Sequence, residues 1–134
     1  MNWIRLVDFG LVVLIWMVQL VVYPSFRYYA PEDLVRWHGP YTSGITVVVF
    51  PLMSAQLLLH GYVLYRDLSL VNIVLLLLVV TTWILTMVIF VPLHGKIGEE
   101  AELPETLAQL VNYNWWRTII WSVIFLLGVG MTQK

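Results

Sequence analysis

Two short segments of this chain carry the residue types that chemistry needs. His94 follows Pro92 in Val91-Pro92-Leu93-His94-Gly95-Lys96. Asn114 and Arg117 lie three apart in Asn112-Tyr113-Asn114-Trp115-Trp116-Arg117. An imidazole exchanges protons near neutral pH, a guanidinium keeps its charge at any working pH, and an amide offers both donor and acceptor. Together they describe a general base beside a group that steadies a developing oxyanion. His38, three residues before Tyr41, adds a second imidazole.

Helical spacing decides which of these side chains share a face. Leu110, Asn114, Arg117 and Trp121 fall at steps of four, three and four, so they form one stripe. Trp83, Met87, Phe90 and His94 form another. If both stripes face inward, aromatic walls from Trp83, Phe90 and Trp121 surround His94, Asn114, Arg117 and His38, while Tyr41 or Tyr113 orients what is bound. Such a pocket suits a planar, oxygen-bearing apolar molecule such as a quinol, phenol or polyketide. The competing account is that Arg117 and His94 snorkel among lipid headgroups.

The composition says what must position these residues. Of 134 residues, 60% are hydrophobic and 11% charged, with mean hydropathy +0.85. A soluble domain carries roughly 25% charged residues. The chain therefore cannot cover a water-facing surface, which excludes an ordinary soluble enzyme and a disordered tail. A net charge of −1 excludes a nucleic-acid partner, which would need a basic excess. With no cysteine there is no disulfide, thiolate metal site or cysteine nucleophile.

The reading is one integral membrane domain over residues 1–134: an all-α, four-helix transmembrane bundle running up-down-up-down. Spans are predicted near Trp3–Tyr23, Gly44–Tyr65, Leu68–Val91 and Trp115–Met131. The first reads as an uncleaved span, because no small-residue cleavage site follows it. Arg66-Asp67 leaves so short a link that helices two and three must be antiparallel neighbours. Pro31-Glu32-Asp33-Leu34 and Pro104-Glu105-Thr106-Leu107 are helix-start signatures. With the apolar-Pro endings Tyr23-Pro24 and Val91-Pro92, they suggest two tandem helical hairpins. Four spans put both termini on one side. Arg5, Arg66 and Lys134 then oppose Arg27, Arg36, Lys96 and Arg117, a nearly even balance that leans only weakly to cytoplasmic termini.

This topology gathers Tyr23, His38, Tyr41, His94, Asn114 and Arg117 at one membrane face, and Asp8, His60, Asp67 and Asn72 at the other. His60 is therefore left out of the site. Gln19, Gln56, Thr81, Thr82 and Thr86 are expected to satisfy backbone groups or bond between helices. Pro51 is expected to kink helix two. Gly128 and Gly130 are expected only to mark a flexible helix end. No metal site is expected. His38 and His94 alone could share a centre, and Met53 lies about fifteen residues from His38, roughly 22 Å at helical rise. The cofactor is left unassigned.

The segments Phe90-Val91-Pro92-Leu93-His94-Gly95-Lys96-Ile97 and Asn112-Tyr113-Asn114-Trp115-Trp116-Arg117-Thr118 resemble those of the anthrone oxygenase-like family of small four-helix membrane proteins. The resemblance covers the second half of the chain. It implies functional roles for Pro92, His94, Asn114 and Arg117. It also implies oxidation of a polycyclic anthrone to a quinone by dioxygen, without an evident metal or flavin. The expectation is therefore a membrane oxidoreductase or oxygenase-like protein acting on a lipophilic aromatic or quinone-like substrate. Two alternatives stand beside it. One is a small-molecule transporter or binding protein working as a homo-oligomer, with Pro51 and Gln56 at its gate. The other is a haem- or metal-binding or accessory subunit of a membrane complex.

Overall fold

A computed structural model describes residues 2–131. Four helices account for the architecture: α1 (Trp3–Tyr28), α2 (Pro31–Arg66), α3 (Leu70–Gly98) and α4 (Leu103–Met131). Among the described residues there is no strand. The fold is the all-α bundle that the hydropathy pattern requires. Each helix packs against its two neighbours in a ring, α1 on α2, α2 on α3, α3 on α4, and α4 back on α1.

Helices α1, α2 and α3 are long and apolar enough to cross a membrane by length and composition. The fourth is 29 residues long but carries Glu105, Gln109, Asn112, Asn114 and Arg117 in its first half. Large apolar side chains also cover the outside, including Leu20, Val47, Leu58, Leu77 and Leu126. A water-soluble protein would bury such residues; a lipid-facing bundle displays them.

The helix ends differ from the predicted spans in an informative way. Helix α1 does not stop at Tyr23, nor α3 at Val91. Each passes its proline by way of a π-turn, Val18–Val22 before Tyr23-Pro24 and Thr86–Phe90 before Val91-Pro92. Each proline then sits in the first turn of the next α segment. There its missing N–H leaves no α-helical bond unmade. Helix α2 begins at Pro31 and runs unbroken through Pro40 and Pro51. Helix α4 starts at Leu103, beside the Pro104 start signature and well before the span predicted from Trp115. Only Glu99–Glu102 separates α3 from α4, and there Glu100 (φ 56°) and Glu102 (φ 48°) adopt the left-handed region.

The core runs along the bundle axis through Leu11, Ile15, Val79, Leu110 and Ile124, all essentially inaccessible. Threonines close local backbone gaps: Thr81 donates to the Leu77 carbonyl and Thr82 to that of Val79. Gly128 is not a frayed end. It lies within α4, its carbonyl accepts from Arg5 at 2.7 Å, and a Cβ there would come 3.9 Å from an Asp8 carboxylate oxygen.

Candidate functional site

The two π-turns bracket the site. Each adds a residue to its turn, and π-turns of this kind recur where side chains are aimed inward for function. The turn in α1 presents Gln19 and is followed by Tyr23; the turn in α3 presents Thr86 and Phe90 and is followed by His94. Gln19, Tyr23, Thr86 and Phe90 meet the inward stripe of α4 directly, and His94 reaches it through Tyr23.

The result is a hydrogen-bonded chain across four helices. Nε2 of His38 lies 2.8 Å from Nδ1 of His94, and Nε2 of His94 lies 3.1 Å from the Tyr23 hydroxyl. Arg117 donates through Nη2 to that hydroxyl at 3.1 Å. Its Nε and Nη2 both donate to Oδ1 of Asn114, at 3.0 and 2.7 Å. Asn114 donates to Gln19, and Gln19 donates to the backbone carbonyl of Val111. With the tyrosine hydroxyl accepting from Arg117, its own proton can go to His94, and the His94 Nδ1 proton to His38. The donors then run in one direction, from guanidinium to His38.

Arg117 is 6% exposed. Its guanidinium carbon sits 3.5 Å from the centroid of the Phe90 ring, and Nη1 donates to Thr86 at 3.3 Å. Among the described residues no carboxylate pairs with it. Five N–H donors meet four bonds to neutral oxygens, so one Nη1 hydrogen is unspent. A buried cation held only by neutral acceptors and an aromatic face is expensive in a bundle surrounded by lipid. Such a group has the charge and the spare donor to receive an anion.

This wall borders a cavity of about 490 Å³. His38, Tyr41, His94 and Arg117 form its polar end, beside Phe90, while Trp83 lies further along, against Phe50. It extends along α2 as far as Met53, some fifteen residues and roughly 22 Å at helical rise. Trp121 lies at the inner, apolar end. Thr46, Phe50, Met87 and Val91 also line it and are exposed on the outside of the bundle. Those residues flank the gap between α2 and α3, so the cavity has a lateral mouth facing where lipid would be.

Of the residues singled out from sequence, His38, Tyr41, Trp83, Phe90, His94, Arg117 and Trp121 all line this one cavity. Asn114 does not; it is wholly buried and holds Arg117 from behind. Tyr113 is 42% exposed and lies outside the cavity, one residue off the inward stripe of α4. His94 has both ring nitrogens engaged, so the free groups are elsewhere. The Tyr41 hydroxyl and Nδ1 of His38 have no hydrogen-bond partner among the described residues. The Trp83 indole nitrogen is buried without one.

Tyr23, which the topology gathers at this face, and Gln19, expected to bond between helices, both join the site, although helical spacing placed neither on an inward stripe. The signal was the π-turn, which a regular helical wheel cannot represent. Among the described residues no group of three or more His, Cys, Asp or Glu is placed to hold a metal. Compared with known proteins, the chain matches no family model, no curated protein and no solved structure.

Proposed function

We propose that this chain is a multi-pass membrane oxidoreductase of the oxygenase-like type, acting on a lipophilic aromatic with an ionisable oxygen. In this reading all four helices cross the bilayer, and both termini lie on one side, the cytoplasmic one. The observation that carries the reading is the Arg117 guanidinium, buried without a carboxylate, at the polar end of an apolar cavity that opens sideways.

The chemistry follows from the groups present. A hydroxylated anthrone entering between α2 and α3 places its oxygen toward Arg117 and its apolar body toward Met53 and Trp121. His38, the imidazole with a free nitrogen at the same polar end, removes the O–H proton of the ligand's hydroxy (anthrol) tautomer. For this the chain runs the other way: His38 donates Nε2–H to Nδ1 of His94 and His94 donates Nε2–H to the Tyr23 oxygen, which leaves Nδ1 of His38 as the acceptor. Arg117 stabilises the oxyanion that forms, a contribution of electrostatic preorganisation. The electron-rich anion reacts with dioxygen. The CH₂ carbon becomes a carbonyl, one oxygen atom is retained in the product, and the other leaves as water with the two hydrogens.

The test uses protein reconstituted in lipid nanodiscs and a hydroxylated anthrone under air. Product formation by absorbance, matched by equimolar dioxygen consumption, is the expected result. Loss of both signals in Arg117→Ala and in His38→Ala, with the bundle still folded, assigns the chemistry to these residues. A wild-type rate equal to empty nanodiscs would end the reading. Binding without oxidation would leave a carrier of the same ligand class.

A further inference from the structure

A second polar cluster occupies the opposite half of the bundle, and the cavity chemistry does not use it. Asp8 on α1 and Gln56 and His60 on α2 are each at most 3% exposed. Nε2 of His60 stands 3.2 Å from both carboxylate oxygens of Asp8. Gln56 donates to one of those oxygens at 2.7 Å, while its own carbonyl accepts from the Trp121 indole at 3.0 Å. Trp121 therefore has two roles: its ring lines the ligand cavity, and its N–H ends the second cluster.

Other charged groups near this cluster are few. Arg5, one turn before Asp8 on α1, is turned to the Gly128 carbonyl. Among the described residues of α4, Gly128 lies beside the carboxylate, a Cβ there coming 3.9 Å from it. On α3, Asn72 is bound to Asp67 at the hairpin, and no titratable side chain of α3 contacts the pair among the described residues. The Asp8–His60 pair thus has two charge states. With neutral His60 donating Nε2–H to the carboxylate, the pair carries −1. One more proton, on Nδ1 of His60, makes an imidazolium–carboxylate pair of net zero.

Position decides where that proton comes from. His60 is six residues before the end of α2 at Arg66, roughly 9 Å from the α2–α3 hairpin. His38 lies 22 residues away on the same helix, roughly 33 Å at helical rise, about the thickness of a hydrocarbon core. Between the two, Gln56 and Trp121 give directed hydrogen bonds but retain their N–H protons at ordinary pH. The two histidines therefore exchange protons with opposite faces.

Charge balance links the two sites. Counting only the fully buried groups, and so not the part-exposed Arg5 near the end of α1, Arg117 (+1) and the unloaded pair (−1) sum to zero without ligand. An anion at Arg117 leaves the interior at −1 unless the pair takes up a proton. Net charge in a lipid-surrounded interior is costly, so the two events favour one another. We propose that Asp8 and His60 form a proton-binding site, loaded from the hairpin face, whose loading accompanies binding of a lipophilic anion at Arg117. The first half stands on this cluster alone; the second rests on the reading of the cavity as a ligand site.

The experiment keeps the halves apart. ¹⁵N-histidine NMR of the ligand-free protein in nanodiscs is followed as pH falls, with His60→Gln identifying its signal. Protonation of His60 while Asp8 stays ionised by infrared spectroscopy, and its displacement in Asp8→Asn, is the expected result. A His60 that stays neutral while His38 or His94 protonates overturns the site. A hydroxynaphthoquinone anion is then added in weak buffer. Uptake of about one proton per bound ligand, appearing as imidazolium on His60, is expected. Ligand binding with no proton uptake, or with the proton on His38 or His94, overturns the coupling. Absence of ligand binding removes the cavity reading and the coupling with it, and leaves the titration to decide the site.

Discussion

The Tyr23 hydroxyl stands between Arg117 and His94, 3.1 Å from each. It is the one atom through which the guanidinium of α4 meets the imidazoles of α2 and α3. Tyr23→Phe removes that oxygen and keeps the ring, which stacks on Phe90 at a centroid distance of 6.3 Å. Ligand binding should persist while turnover of a hydroxylated anthrone falls on the order of 100-fold, the usual scale for losing a group that orients an acid–base catalyst. Paired binding and rate measurements check this.

Asn114→Asp supplies the carboxylate that Arg117 lacks. In detergent thermal unfolding the variant should change little, because the ion pair gained with Arg117 is offset by loss of the Asn114 donation to the Gln19 carbonyl. Affinity for a lipophilic anion should fall by about 10-fold or more, since the charge that attracts it is neutralised. Equilibrium titration with a hydroxynaphthoquinone measures the second effect. Tighter binding would show that the unpaired guanidinium is not the receptor.

Asn114→Leu has the opposite consequence for stability. It strips acceptors from Arg117 and leaves the Gln19 carbonyl, to which Asn114 donates at 2.9 Å, with only Thr118. Buried donors left unmade cost about 1–3 kcal/mol each. A clear loss of thermal stability is expected, whereas Tyr113→Leu, at an exposed position outside the cavity, should change neither stability nor binding.

Met87→Trp addresses the lateral mouth. Met87 lines the cavity and is 54% exposed. A bulkier side chain there should slow ligand association from the bilayer without touching the polar wall. Stopped-flow binding should show a reduced on-rate with little change in the rate of the chemical step.

Trp121→Phe removes the indole N–H that satisfies Gln56 and retains an aromatic cavity wall. Gln56 would then have an unsatisfied buried carbonyl, costing about 1–3 kcal/mol. The expected reading is lower stability together with a changed His60 ¹⁵N signal, which a purely local effect at the cavity would not produce.

Hydropathy was enough to specify an all-α bundle of long apolar helices, because the apolar runs are continuous over about 20 residues, whereas the other lipid-compatible backbone, a β-barrel, needs short alternating strands. The spacing of Asn114, Arg117 and Trp121 was enough to identify one inward stripe, because a regular helix repeats every 3.6 residues; of the second set, Trp83, Phe90 and His94 line the cavity, while Met87, inside the π-turn of α3, is 54% exposed. Spacing could not show that Tyr23 and Gln19 join them. Both sit in or just after a π-turn, where that repeat is interrupted. Nor could it show that Asn114 stands behind Arg117, or that Tyr113 turns away.

The meeting of Asp8 with Gln56 and His60 was half visible. Gln56 and His60 are four apart on one face, and Asp8 is an acid inside an apolar run. Which helix faces which, and at what height, is a matter of packing between segments some fifty residues apart. Local residue preferences carry no term for that. Only the closed ring of four helices decided that one imidazole bonds to tyrosine and imidazole near one end, while another bonds to carboxylate near the other.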